Sequence, residues 1–329
     1  MNTFAPTLQG FFTDRLARQR QASVHTVAAY RDTIKLLLVF TAQRTGKTPA
    51  RLDIADLDAP LIGAFLHHLE TERGNSVRTR NARLAAIHSL FGYAALQHPE
   101  QAALIQRVLA IPPKRFDQTL ITYLTEAEID ALLAAPDRGT WTGRRDHALL
   151  MVACRTGLRA SELTHLAVSD VHLGTGAHVS CLGKGRKQRI TPLTAGTVSV
   201  LGAWLTERGG LPADPLFPTR AGAALSRDAL QRRVAKHAVT AAERCPTLHE
   251  KRISPHVMRH SCAMTLLRAG VDVAVIALWM GHQNLATTQV YIHADLALKE
   301  QALARTAPKD QPAGRYKPSD TILAFLDSL

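Results

Sequence analysis

Cysteine and aromatic residues are scarce in this sequence of 329 residues, and each scarcity argues against a class of site. The four cysteines include no pair at C-x-x-C spacing, so we expect neither a disulfide framework nor a cysteine-rich zinc site. The 15 histidines form no H-E-x-x-H motif. Aromatic residues make up 5%, too few for base stacking as a main binding mode. The sequence therefore predicts a protein that uses no metal and no other cofactor.

Long apolar runs are absent as well. The apolar run Val273 to Met280 is far shorter than the roughly 20 residues needed to span a bilayer. The start, Met1 to Gly10, lacks a basic segment followed by a long apolar one, so no signal peptide is expected. We therefore predict no membrane association, and the unpaired cysteines fit a reducing cytoplasm.

Positive charge, in contrast, is abundant. The formal net charge is +13 and the sequence pI is near 10.1. Such a balance favours a polyanionic partner, of which nucleic acid is the commonest. Lys and Arg outnumber Asp and Glu both in residues 1–110 and in the rest of the chain. A clamp around DNA requires this distribution, whereas a single basic tail would not supply it.

The chain length suggests two domains of roughly 100–200 residues each. Apolar residues recur at helical spacing over residues 1–110, which predicts a small helical domain. Residues 111–119 predict a linker, because their two prolines lack backbone donors and disfavour helix before them. Residues 120–329 would form the second domain. Its apolar tail, at about 306–329, is too short to fold alone and needs a host groove.

Serines mark two helix starts in the first domain. Ser23 is a predicted N-cap for a helix with Ile34 and Leu37 inward, and Ser76 opens a later helix. That later helix carries three arginines, Arg78, Arg80 and Arg83. They cannot all lie on the buried stripe. We interpret them as a phosphate-contacting face, although an ordinary solvated face would show the same pattern. Two linker residues are further candidates for DNA contact, Lys114 and Arg115.

In the second domain the pattern changes from helix to strand and back. Thr125 and Glu128 match a capping box, and a helix is predicted at about 144–155. Short strands follow at 168–171, 178–182 and 188–191, with glycine-containing turns between them. The remainder reads as mainly helical. The sequence thus predicts a mainly α chain with a small antiparallel β-sheet, and an α+β second domain.

Five short segments carry residues suited to phosphate chemistry. In chain order they contain Arg159 in T-G-L-R-A-S-E-L, Lys184 in G-K-G-R-K, His256 and Arg259 in S-P-H-V-M-R-H, His282 in M-G-H-Q, and Tyr291. Alone, each has an ordinary alternative. Arg159 could form a surface ion pair with Glu162 at i+3, and the lysine turn could be a solvated hairpin. Ser254 and Pro255 predict a helix start, where an anion is favoured.

The order and context of these segments resemble the tyrosine recombinase, or phage integrase, family. That family shows Arg in T-G-L-R-x-x-E-L, a Lys in a β-hairpin, H-x-x-R, G-H and a Tyr soon after. All of these are present here without a gap or a substitution. The resemblance covers the whole chain, because the first domain looks like the family's SAM-like core-binding domain and the second like its α+β catalytic domain.

The resemblance implies a site-specific DNA recombinase that holds the cut strand as a 3′-phosphotyrosyl link and leaves a free 5′-OH. Its catalytic residues would be Arg159, Lys184, His256, Arg259, His282 and the nucleophile Tyr291. Arg186 and Lys187 in the lysine turn would contact DNA. The partner would be double-stranded DNA with inverted half-sites. A homo- or hetero-tetramer would bind it, with each C-terminal tail docked on a neighbouring subunit.

Two other functions stay open at this point. A type IB topoisomerase uses a similar active site to relax supercoils, but the separate helical domain and the apolar tail favour recombination. A non-catalytic DNA-binding regulator on the same scaffold is disfavoured, because the whole reactive set is present. Phage, transposon and chromosome-resolution roles are all compatible with these motifs.

Overall fold

The computed structural model describes residues 4–116, 121–183, 188–281 and residue 288. The chain divides into two compact units, Met1–Gln118 and Thr119–Leu329. Most described residues are helical, and the second unit contains a three-stranded sheet. Within the described ranges, no helix is both long and apolar enough to cross a membrane.

The described part of the first unit contains five α-helices. They are α1 (Phe4–Gly10), α2 (Val24–Thr45), α3 (Ala59–Thr71), α4 (Val77–Ala94) and α5 (Ala102–Leu109). A π-helical stretch, Phe11–Gln19, continues directly from α1. The N-caps predicted at Ser23 and Ser76 are confirmed, because their hydroxyls accept from the backbone N–H groups of Thr26 and Thr79.

Apolar side chains from these helices form the core of the first unit. Phe11, Phe65, Phe91 and Ile105 are completely or almost completely buried in it. The inward positions predicted for α2 are confirmed, since Ile34 and Leu37 belong to the same core. Each fully buried side chain of this kind contributes about 1.5–3 kcal/mol, so the unit has a sizeable core of its own.

The described part of the second unit contains seven α-helices. They are α6 (Glu126–Ala134), α7 (Trp141–Thr156), α8 (Ala160–His165), α9 (Ala195–Arg208), α10 (Arg227–Ala242), α11 (Pro255–Arg268) and α12 (Val273–Met280). The capping box predicted at Thr125 and Glu128 is confirmed at the start of α6. Leu149 and Val152 of α7 and Met258 of α11 lie in one apolar core, so these two helices pack together.

The three strands form one antiparallel sheet in the order β1-β2-β3. They are β1 (Val171–His172), β2 (His178–Leu182) and β3 (Gln188–Pro192). The predicted strand at 178–182 is confirmed, and the one at 188–191 extends by one residue. The prediction at 168–171 is wrong for most of its length. There the carboxylate of Asp170 accepts from the Ala167 N–H at 2.8 Å and stabilises a 3-10 turn instead.

Candidate active site

The junction between α7 and α8 positions the first predicted arginine. Gly157 ends α7 in the left-handed region, at φ 64°, which lets the chain reverse and start α8 three residues later, at Ala160. Arg159 then occupies the N-cap position of α8. The ion pair that the spacing allows is present, because the Arg159 Nη1 donates to Glu162 Oε1 at 2.8 Å. The other carboxylate oxygen of Glu162 accepts the Arg159 backbone N–H at 2.6 Å.

The two predicted arginines meet at the C-terminal end of α12. Arg159 donates from Nη2 to the carbonyl oxygen of Gly281 at 2.7 Å. Arg259 donates from Nη2 to the carbonyl oxygen of Met280, and its residue is only 4% exposed. The last carbonyls of a helix lack intrahelical donors and carry partial negative charge, so they attract guanidinium groups. At this end of α12, Arg159 therefore contacts Gly281, which lies 122 positions away in the sequence.

A further contact anchors α12 against α7. The indole Nε1 of Trp279 donates to the carbonyl oxygen of Thr156 at 3.1 Å. Thr156 is the last residue of α7, directly before Gly157. The ends of α7 and α12 are thus held together, and Gly281, the residue after α12, lies beside Arg159.

The start of α11 is as predicted. The hydroxyl of Ser254 accepts from the Val257 N–H, and Pro255 is the first helical residue. His256 is exposed and contacts His260 edge-on, with ring centroids 4.0 Å apart. The H-x-x-R spacing therefore combines an exposed imidazole at the helix start with a buried guanidinium one turn later.

One residue of this site was missing from the sequence prediction. Arg189 on β3 donates from Nη2 to Glu162 Oε2 at 2.8 Å and from Nη1 to the Met280 carbonyl at 2.8 Å. A signal for it exists in the strand pattern. In β3, Thr191 is buried and Ile190 is 59% exposed, so strand alternation turns Arg189 to the inner face. An arginine on the inner face beside an outward isoleucine indicates a specific ionic partner.

The resulting cluster has an excess of positive charge. The carboxylate of Glu162, whose side chain is 3% exposed, pairs with the guanidinium groups of Arg159 and Arg189, and the guanidinium of Arg259 shares the Met280 carbonyl with Arg189. A cluster of this composition favours an additional anion such as a phosphate. Cys262, close behind Gly157, does not supply a nucleophile. Burial raises the pKa of its thiol to about 12, so the thiol stays protonated at neutral pH.

The predicted phosphate-contacting face on α4 is only partly as expected. Arg78 is exposed, but Arg80 is 7% exposed and donates from Nη1 to the Pro112 carbonyl at 3.3 Å. Arg83 is partly buried. Its burial, and to a smaller extent the nearby positive charge of Arg73, lowers the pKa of its guanidinium. The three arginines therefore do not share one exposed face, because Arg80 and Arg83, at i and i+3, lie on the inner side of the helix, whereas Arg78, two residues before Arg80, lies on the opposite side. Arg80 does not face solvent, and its hydrogen bond holds the segment at Pro112 against α4.

The linker candidates are accessible. Lys114 donates to Glu70 Oε2 at 2.7 Å from a side chain that is 52% exposed, and Arg115 is exposed. Several predicted residues lie outside the described ranges. They are Lys184, Arg186, Lys187, His282, Tyr291 and the tail at 306–329.

Two protein family descriptions match parts of this chain. Residues 122–297 match the phage integrase family, and residues 10–98 match the phage integrase N-terminal SAM-like domain. The integrase/recombinase y4rC of Sinorhizobium fredii is 54% identical over 99% of this chain and 98% of that protein. The tyrosine recombinase XerC of Xanthomonas campestris is 33% identical over 93% of this chain and 88% of its own length.

Two solved structures show the same fold. One is the XerH site-specific recombinase bound to palindromic difH substrate, with a TM-score of 0.69 and 24% identity over 87% of this chain and 81% of that chain. The other is the Tn1549 transposon integrase in complex with transposon right end DNA, with a TM-score of 0.68 and 17% identity over 92% of this chain and 99% of that chain. This chain belongs to the phage integrase family. It is a tyrosine recombinase, and the predicted family, fold class and type of activity are confirmed.

Proposed function

We propose that this recombinase cuts and rejoins double-stranded DNA at a specific site, with Tyr291 as the nucleophile. The observation that carries the proposal is the convergence of Arg159 and Arg259 on the carbonyls of Met280 and Gly281. The next residue along the chain is His282, and Tyr291 follows nine residues later. Two fixed cations beside Met280 and Gly281 are suited to hold a phosphate for attack by the phenol.

The chemistry requires a nucleophile, cations and two proton transfers. The phenol oxygen of Tyr291 attacks the phosphorus while the bond from phosphorus to the 5′ oxygen breaks. A phenol has a pKa of about 10, so its proton must pass to a base, for which His256 and His282 are the candidates. Lys184 gives a proton to the departing 5′ oxygen. Arg159 and Arg259 neutralise the charge that builds up on the non-bridging oxygens.

The reverse reaction rejoins the strand. The 3′-phosphotyrosyl link conserves the energy of the broken phosphodiester, so a 5′-OH from a partner strand attacks it and releases Tyr291. No nucleotide is consumed. The cationic side chains supply the charge stabilisation, so we propose that both steps proceed without a metal ion.

The assembly part of the proposal concerns DNA symmetry and the tail. We propose binding to inverted half-sites by a homo- or hetero-tetramer, with residues of the tail at about 306–329 docked on the neighbouring subunit. Support comes from a structural neighbour, since XerH is bound to a palindromic difH substrate. The basic character of both halves of the chain supports DNA contact by each unit.

Covalent capture tests the proposal. The full-length protein is mixed with sheared DNA carrying the gene's own surroundings, the mixture is denatured, and DNA that stays attached to protein is sequenced. We expect one related set of sequences containing inverted repeats, and no attached DNA with Tyr291→Phe. Attachment by Tyr291→Phe, or none by the unchanged protein, would contradict the proposal. Relaxation of supercoiled DNA that lacks the captured sequence would instead favour a topoisomerase.

A further inference from the structure

Arg189 joins three elements of the second unit. From β3 its guanidinium reaches Glu162 on α8, through Nη2 at 2.8 Å and Nη1 at 3.4 Å. The same Nη1 donates to the Met280 carbonyl at the end of α12 at 2.8 Å. Arg259 donates to that same carbonyl from α11. Both acceptors of Arg189 are therefore also held by the two arginines that we assign to phosphate binding.

The side chain of Arg189 is almost completely enclosed by its neighbours. Its side chain is 10% exposed, and its Nε is enclosed without a hydrogen-bond partner. Leaving such a buried donor unpaired costs about 1–3 kcal/mol. Gly281 leaves the space that the Arg189 guanidinium occupies. At Gly281, φ is +61°, and an added Cβ would lie 2.5 Å from Arg189 Nη1.

We propose that Arg189 is a positioning residue for strand cleavage. This proposal rests on the proposed function, in which Arg159 and Arg259 hold the scissile phosphate. By fixing Glu162 it fixes the orientation of Arg159, and by fixing Met280 it fixes the acceptor of Arg259. Its own terminal nitrogens are occupied and its Nε is enclosed, so it acts through these residues and does not contact the DNA.

Geometry and charge make different predictions for substitutions at this position. Arg189→Gln removes the charge and the fork, whereas Arg189→Lys keeps the charge but offers a single ammonium in place of the fork. The matched control is Arg145→Gln. Arg145 is also buried, and it donates to a carboxylate, that of Asp146 at 2.6 Å, and to a carbonyl, that of Pro218 at 2.8 Å. It belongs to neither the phosphate site nor its supports.

The first measurement needs no DNA. Hydrogen exchange of the Met280 and Gly281 amides is compared among the unchanged full-length protein, the two Arg189 variants and Arg145→Gln. We expect faster exchange at these amides in Arg189→Gln and Arg189→Lys only. Unchanged exchange in both Arg189 variants would show that Arg189 does not hold Met280 and Gly281 in place. That result would overturn the positioning role, whatever the activity of the protein.

The second measurement uses a duplex built from the captured sequence, with a nick that prevents rejoining. We expect Arg189→Gln to slow single-turnover cleavage by about 10- to 100-fold, the size of effect that a small misplacement of catalytic groups produces. The Kd for the duplex should change less than about threefold, because affinity comes from many phosphate contacts. Arg189→Lys should recover only part of the rate. Arg145→Gln should cleave at the unchanged rate at temperatures where it is folded.

The outcomes separate the two proposals. Full recovery by Arg189→Lys would mean that only charge matters and would overturn the positioning role. So would an unchanged cleavage rate for Arg189→Gln, or an equal loss for Arg145→Gln. Absence of cleavage by the unchanged protein would overturn the proposed function itself. If Arg189→Gln does not fold, the Arg189→Lys comparison decides, because a slowed rate with faster exchange at Gly281 supports positioning and a normal rate overturns it.

Discussion

Arg259 donates from Nη1 to the carbonyl oxygen of Gly157 at 2.5 Å, across 102 residues of sequence. The contact joins α11 to the left-handed turn that ends α7. Gly157 therefore has two roles at one position. Its positive φ starts the turn toward Arg159, and its carbonyl fixes the guanidinium of Arg259. The T-G-L-R and H-x-x-R motifs are thus linked through the backbone of the glycine.

Replacing Gly157 should disturb both roles. In Gly157→Ala the new Cβ would lie 2.7 Å from Met280 Cε and 3.3 Å from Cys262 Sγ, at a φ of +64°. We expect a loss of about 2–4 kcal/mol in the free energy of unfolding, combining backbone strain with overpacking. Gly270→Ala is the control, since φ there is +80° and nothing lies within 4 Å. Equal losses in urea unfolding would show that close packing at Gly157 contributes nothing.

The buried carboxylate of Asp146 should make stability depend on pH. Burial would raise its pKa, but hydrogen bonds from His237 and Arg145 and the charges of Arg145 and Arg233 lower it below the ordinary 3.8. A lowered folded-state pKa gives stability that is present above pH 3.8 and is lost as the pH falls below it. Asp146→Asn should cost about 3–5 kcal/mol at neutral pH, because it breaks a buried ion cluster.

That cost should shrink as the pH falls below 3.8, where the unchanged protein also loses its carboxylate. Urea unfolding at a series of pH values measures it. Asp130→Asn is the control, since Asp130 is 73% exposed and lies 3.9 Å from Arg155. It should change stability by less than about 1 kcal/mol at any pH. A cost for Asp146→Asn that stays constant with pH would contradict this account.

Arg78 and Arg80 should separate DNA binding from stability. Arg80→Ala removes the contact with the Pro112 carbonyl and should lower the free energy of unfolding by about 1–3 kcal/mol. Arg78 is exposed, so Arg78→Ala should leave stability unchanged. It should weaken DNA binding and reduce the salt slope by about 0.9 for the lost phosphate contact. Titrations across salt concentrations measure the slope. A stability loss for Arg78→Ala together with a reduced salt slope for Arg80→Ala would contradict this prediction.

Lys184 is the predicted general acid, and a sulfur substrate tests it. Lys184→Ala should slow cleavage of ordinary DNA by about 10²–10⁴-fold. With sulfur at the bridging 5′ position the leaving group needs little protonation, so the variant should cleave at nearly the unmutated rate. Arg159→Ala should not recover, because it acts on the non-bridging oxygens. Recovery by Lys187→Ala instead would move the role to that lysine.

The C-terminal tail should act in assembly. Removal of the chain from Ser319 onward should leave binding to a single half-site intact and weaken pairing of two sites. The reason is an apolar segment too short to fold alone, which needs a groove on another surface. Gel-shift assays with one and two half-sites measure the difference. Unaffected pairing would show that the tail is not a contact between subunits.

Local sequence determined the helix starts and the reactive groups. Ser23, Ser76 and Ser254 cap helices because a hydroxyl one step before an apolar helical face satisfies a free N–H. The order of the motifs was sufficient to identify the family, because each reactive residue type has a fixed chemical task. The ion pair of Arg159 with Glu162 also followed from spacing, since i and i+3 residues are neighbours on a helix.

Tertiary structure decided which charges from distant parts of the sequence meet. Arg80 looks like the exposed Arg78 in the sequence, yet it is buried and donates to the Pro112 carbonyl. Arg189 became part of the site because the sheet brings β3 against α8 and the end of α12. Arg189 is 27 positions from Glu162 and 91 positions from Met280 in the sequence. Contacts over such separations depend on how whole elements pack, and no local pattern encodes them. The sequence thus specified the reactive groups, and the packing of α8, α11, α12 and β3 specified their support.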